Sequence, residues 1–180
     1  IAARRMGYRV HAFEPQPEVA DCVADYIEAN GFGDSVVLHR IALGDRAAEI
    51  RMRPPGNNSG GSNVQLSGTV GAVAAMATLD SLDLPLARLD CIKVDIEGAE
   101  PMFVQGAKDL IRTHRPVIYS ELHPTKLVST SGVSREEYLN FVESLGYRTM
   151  QIGPRLALAP FDRSLLADKR RLLNVVFEPA

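Results

Sequence analysis

The sequence predicts an α/β protein in which a mostly parallel sheet is covered by helices on both faces. Three observations support this. Short apolar strand patterns alternate with helical patterns along nearly all of the 180 residues. Three of those strands end in polar side chains: Glu14 on the first, Asp95 on the middle one, Glu121 and His123 on the next. The middle strand, Leu89 to Val94, runs into two carboxylates spaced two apart, then Gly98, then a helix. In open α/β sheets, ligands bind outside such carboxyl ends.

Tyr8 to Phe13 reads as a strand ending at Glu14-Pro15. Pro17 opens a helix with Val19, Cys22, Val23, Tyr26 and Ile27 on one stripe, closed by Asn30-Gly31. Val36 to Ile41 is the next strand, and Glu49 to Arg53 alternates as a strand does. Pro54 to Gly61 is a loop, from which Ser62 to Ser67 can return beside Glu49–Arg53. After the small apolar run Val70 to Ala77, Asp80 is expected to cap a short helix through Leu86. Beyond Gly98 a helix carries Phe103, Ala107, Leu110 and Ile111 at helical spacing down to His114, with Pro101 in its first turn. Pro116 to Ser120 is another buried strand. Ser134 and Glu137 form a capping-box pattern before Tyr138, Phe141, Val142 and Leu145, with Gly146 as the stop. Tyr147 to Ile152 and Leu172 to Phe177 complete the strands. The Asp95 strand is expected at the centre of the sheet, with Leu172–Phe177 antiparallel near an edge.

At 46% hydrophobic residues, the chain can bury one sizeable core, so a single domain over 1–180 is expected. A net charge of −2 leaves no electrostatic footprint for nucleic acid or an anionic membrane. Cys22 and Cys91 are expected as small core residues rather than a disulfide framework. No stretch approaches the length of a membrane span, and no secretory signal is visible, so a cytoplasmic location is expected.

A carboxylate such as Glu14, at the end of an early strand, can accept both hydroxyls of a ribose. The plainer alternative is an acid stabilised by the amides of the following helix. Asp95 sits at a strand tip and is a candidate base, as is His123, which can equally anchor a turn beside Pro124. Glu97 and Glu100 can instead complement the helix macrodipole. A metal held by Asp95, Glu97, Glu121 and His123 is not expected.

Taken in order, Val10-His11-Ala12-Phe13-Glu14-Pro15, Ala42-Leu43-Gly44-Asp45, Thr78-Leu79-Asp80 and Ile92-Lys93-Val94-Asp95-Ile96-Glu97-Gly98-Ala99-Glu100 resemble the FkbM-type methyltransferases. The resemblance runs from about Ile1 to His123 and is only general beyond it. It implies the Rossmann-like class I methyltransferase fold. It also implies S-adenosylmethionine as cofactor and methyl transfer to a hydroxyl of a small molecule, sugar or glycolipid. Carried over, Glu14 would bind the cofactor ribose, and Ile41 and Ala42 would border the adenine. Asp95 would face the methionine end, and Glu97, Ser62 and Glu121 the acceptor. The Gly60-Gly61-Ser62-Asn63 segment resembles the family's glycine-serine loop, with Asn63 where a second serine is usual.

The family's glycine loop after the first strand has no counterpart here, and residues 1–6 read as the tail of the helix that follows it. The chain is therefore expected to be a domain fragment lacking its first strand and glycine loop, inactive on its own. Two other classes stay open. One is a nicotinamide-dependent oxidoreductase, which Glu14 alone would permit although no Tyr-x-x-x-Lys pair is present. The other is a non-catalytic domain that keeps the fold. Acceptor choice would reside in loops such as Pro54–Ser67 and Thr125–Val133.

Overall fold

The computed structural model describes residues 6–52, 64–65 and 72–180. Strand β1 (Val10–Phe13) leads into α1 (Pro17–Ala29), which starts on Pro17 and is left through Asn30 and Gly31, the latter at φ +63°. Strand β2 (Val36–His39) lies parallel to β1. Across that pair, His11 Nδ1 and His39 Nε2 share a hydrogen bond of 2.9 Å, and the Phe13 ring stacks on His39 at 4.6 Å.

The strand expected to reach Ile41 stops at His39, and the chain then changes sheet. Strands β3 (Ala42–Leu43), β4 (Ala48–Met52), β5 (Val64–Gln65) and β6 (Ala72–Ala77) form a second sheet in the order β3-β6-β4-β5. Its small core is Ala42, Ile50, Met52, Ala74 and Met76. The strand expected at Glu49–Arg53 thus pairs chiefly with β6, and with Val64–Gln65 inside the expected return.

The larger sheet holds β7 (Cys91–Val94), β8 (Val117–Leu122), β9 (Tyr147–Ile152), β10 (Leu158–Pro160) and β11 (Leu173–Pro179) in the order β10-β9-β11-β8-β7. Between β7 and β8 run α2 (Glu100–Gly106) and α3 (Lys108–His114); α4 (Lys126–Ser131) and α5 (Arg135–Ser144) follow β8. The main core joins Ile118, Leu122, Val175 and Phe177 of the sheet to Val104, Ile111, Tyr138 and Val142 of the helices, all fully buried. Each such side chain contributes about 1.5–3 kcal/mol on burial. At its centre the Tyr138 hydroxyl is satisfied by Ser120 Oγ at 3.0 Å.

Three expectations about the sheet are corrected. It is mixed rather than mostly parallel: β7 and β8, joined through helices, are parallel, but β11 is antiparallel to both β8 and β9, and β10 is antiparallel to β9. Strand β11 is interior, which suits its buried Leu173, Val175, Val176 and Phe177. Strand β7 is at an edge among the described residues, pairing with β8 alone, and its alternation of exposed Cys91 and Lys93 with buried Ile92 and Val94 is that of a half-covered strand.

Local chemistry explains the remaining differences. The helix after Gly98 breaks at Ala107 (φ −121°), where α2 ends against β3: a Cβ on Gly106 would lie 1.9 Å from the Gly44 carbonyl oxygen. No helix runs from Asp80 to Leu86. Thr78 caps a single 3-10 turn, Leu79–Ser81, while the Asp80 carboxylate accepts hydrogen bonds from the amides of Asp109 and Leu110, each 3.0 Å. Asp80 does cap a helix, but it is α3. The Ser134–Glu137 capping box on α5 forms as expected. Cys22 and Cys91 are free and exposed rather than in the core, since α1 fully buries only Ala20 and Cys91 sits on the open side of β7. No helix among the described residues is long and apolar enough to cross a membrane.

Asp80→Ala should therefore destabilise the protein by about 1–2 kcal/mol, as loss of a helix cap does, and Asp80→Asn by less. Urea unfolding monitored by circular dichroism measures both. A change within about 0.5 kcal/mol for alanine would show that the remote cap is energetically idle.

Candidate functional site

A cleft of about 840 Å³ has β1 and β7 as two of its walls, with every residue of Val10–Phe13 and Cys91–Val94 lining it. Successive residues of a strand point to opposite faces, so both strands present their edges to it. Ile41, Leu43, Leu79 and Leu84 supply apolar surface, and Glu14, Asp95 and Glu97 line the cleft just beyond the two strands.

Glu14 is positioned by the ladder it extends. Its amide donates to the His39 carbonyl at 3.0 Å, and its Oε1 accepts from the Gln16 amide at 2.8 Å. The carboxylate is thus held at the point where β1 gives way to α1. Ile41 and Ala42 border the same cleft because the chain bends after β2 toward the second sheet.

Asp95 follows the last residue of β7, with its Oδ2 2.9 Å from Lys93 Nζ. The pair is substantially exposed, so it adds little stability but fixes where the carboxylate lies. The next residues do not continue the strand. Glu97 has φ +60° and Gly98 φ +97°, a turn that leads toward α2 with both Asp95 and Glu97 lining the cleft.

That turn is held from several sides. Lys126 Nζ pairs with the Glu97 carboxylate, and Thr130 Oγ1 donates to the Glu97 carbonyl at 3.1 Å. Glu100 Oε1 accepts from the amides of Ile96 (2.8 Å) and Gly98 (3.3 Å). Gly98 lies directly against α4, since a Cβ there would fall 2.2 Å from the Lys126 carbonyl oxygen.

Glu121 and His123, at the end of β8, do not form part of the cleft wall. Burial, with the nearby charges of Asp95, Glu97 and Glu100, raises the Glu121 carboxyl above its ordinary pKa. His123 Nδ1 accepts from the amides of Lys126 (3.2 Å) and Thr125 (3.3 Å), so its lone pair anchors the turn into α4. Burial, and the Lys126 charge after it, hold the His123 pKa below the ordinary value. Ser62 and its loop lie outside the described residues.

The chain matches the family model described as the methyltransferase FkbM domain over residues 1–149. It belongs to the FkbM methyltransferase family. A solved structure of methyltransferase FkbM from Methylobacillus flagellatus KT, at 2.20 Å resolution, is similar to it, with a TM-score of 0.54 and 15% identity. The similarity covers 94% of this chain and 36% of that one, so the chain spans about a third of that structure's length, and the likeness concerns the fold. Comparison with curated proteins gives no match.

In this FkbM domain, then, the expected residues Glu14, Ile41, Ala42, Asp95 and Glu97 meet at one cleft. Lys93, Lys126, Thr130 and the buried Glu100, all absent from the expected set, hold the acids in place. Lys93 carried a readable signal, standing two residues before Asp95 and hence on the same side of the strand. Lys126 and Thr130 carried none, because their partners lie 29 and 33 residues away.

Gly98→Ala combines a left-handed backbone with a clash against α4. It should cost at least about 1–3 kcal/mol for the backbone alone, read as a lowered urea midpoint. A midpoint equal to that of the unsubstituted FkbM domain would mean that α4 does not rest on Gly98.

Proposed function

We propose that this FkbM domain is an S-adenosylmethionine-dependent O-methyltransferase acting on a hydroxyl of a small molecule, sugar or glycolipid. The observation that carries the proposal is the convergence on one cleft of Glu14, beyond β1, and Asp95 with Glu97, beyond β7, in a chain of this family. The residues present fit the ribose and adenine part of the cofactor. Glu14 would accept the ribose hydroxyls, Ile41 and Ala42 would flank the adenine, and Asp95 would face the methionine end. When bound, S-adenosylmethionine supplies an electrophilic methyl group on a cationic sulfur.

The protein's own contribution is positioning and proton removal. Holding donor and acceptor in near-attack geometry supplies much of the rate of an in-line displacement. Asp95, at the cleft wall, is the group placed to take the hydroxyl proton. His123 is the less suitable base, because the nitrogen with a lone pair already receives two backbone amides. Glu97 and Ser62 would contact the acceptor, whose identity the loops 54–67 and 125–133 would set, whereas Glu121 lies off the cleft wall. The partner is thus a small molecule or glycan, with no role for nucleic acid.

In the full gene product, Glu14→Ala should weaken S-adenosylmethionine binding by about 1.5–3 kcal/mol, the scale of hydrogen bonds to a charged group. Titration calorimetry decides this, and an unchanged affinity would reduce Glu14 to an acid that turns the chain into α1.

Asp95→Asn should lower turnover ~10²–10⁴-fold, the usual contribution of a positioned base, and His123→Ala far less. A larger loss in the His123 variant, with cofactor affinity intact, would move the proton transfer to that imidazole.

A further inference from the structure

Glu100 opens α2, where an acid ordinarily serves the helix's own first amides. It does more than that. Its side chain turns back to the amides of Ile96 and Gly98, which precede the helix, and accepts both on one oxygen. The residue is only 1% exposed, and its second oxygen, Oε2, is buried with no hydrogen-bond partner. A carboxyl so placed is rare in proteins, and burial raises its pKa above the ordinary value of 4.5. The two amides it holds bracket Glu97, whose backbone is left-handed, and the first of them directly follows Asp95.

We propose that Glu100 is a positioning residue of the methyl-transfer site: its buried carboxyl pins the Ile96–Gly98 turn from beneath and thereby sets how Asp95 and Glu97 face the cleft. The inference rests on the function proposed above. Glu100 is not on the cleft wall and acts only through the two acids. Its pin and the α4 contacts divide the work: Thr130 and Lys126 hold the carbonyl and carboxylate of Glu97, whereas Glu100 holds the amides on either side of it.

The test compares Glu100→Gln and Glu100→Met with the unsubstituted full gene product. Glutamine keeps a carbonyl oxygen for the two amides, while methionine fills the space without an acceptor. Amide hydrogen exchange at Ile96 and Gly98, resolved by NMR, reports the pin; calorimetric titration with S-adenosylmethionine reports its effect on the site. In the Met variant, exchange at both amides should quicken and cofactor affinity should fall, each about tenfold or more, as for a lost buried hydrogen bond. Amides of β11 should stay protected in that variant. The Gln variant should stay within about threefold of the unsubstituted protein in both readouts. Unchanged exchange in the Met variant would overturn the proposal, as would equal effects of Gln and Met. So would loss of β11 protection, which would make Glu100 a residue of the fold rather than the site, or quickened exchange with affinity unchanged. If the unsubstituted protein itself does not bind S-adenosylmethionine, the proposed function fails, and the exchange rates alone then decide whether Glu100 pins the turn.

Discussion

A glutamate in the left-handed region, as Glu97 is at φ +60°, stays there only while its surroundings leave it no better choice. Here the surroundings are complete. The amides on both sides end on Glu100, the carbonyl on Thr130 and the side chain on Lys126, while Gly98 supplies the φ of +97° that lets α4 press against the backbone. Relaxed to an extended conformation, the same residues would prolong β7, and the chain would neither turn at Gly98 against α4 nor enter α2 at Glu100. The acid pair at the cleft therefore depends on a strained turn being over-determined by its neighbours.

The framework around that turn is tied together by contacts distant in sequence. Asp80 closes the N-terminus of α3 from about thirty residues upstream, and Gly106 lets α2 meet the carbonyl of Gly44 where β3 ends. Each contact joins the small sheet's side of the molecule to the helices behind β7. Ile41 and Ala42 on one side, and Asp95 and Glu97 on the other, are thereby held around one cleft although they lie in or beside strands of different sheets.

The elements most legible in the sequence are those whose chemistry is local. Helix α1 begins on Pro17 and ends at Asn30-Gly31, α5 carries its capping box, and β9 spans Tyr147–Ile152 as its pattern indicates. Sheet order was not legible, because an apolar pattern tells which face of a strand is covered but not which strand lies beside it. For β7 a clue was present: Cys91 and Lys93 alternate with Ile92 and Val94, the pattern of a half-covered strand. Asp80 shows a different limit, since the residue type that caps a helix does not say which helix. At the site, the motifs pointed to Glu14, Ile41, Ala42, Asp95 and Glu97, which line the cleft, and equally to Glu121 and His123, which do not. The roles of Glu100 and Lys126 required knowing where the backbone turns back, and neither residue breaks any local rule that would betray it.

Helix α4 is only six residues long, yet its positions fall into two sets with different evolutionary prospects. Lys126, Leu127 and Thr130 are committed, the first and last to the Glu97 turn and Leu127 to the core, where it is fully buried. Val128 and Ser129 face outward, Val128 with 55% of its surface exposed. Drift at these outward positions can reshape the surface beside the cleft without disturbing the acids, whereas a change at Lys126 or Thr130 alters the neighbouring surface and the acid turn together. Change that spares the acid turn is therefore easiest at Val128 and Ser129, which is where a designer seeking altered recognition with intact chemistry would begin.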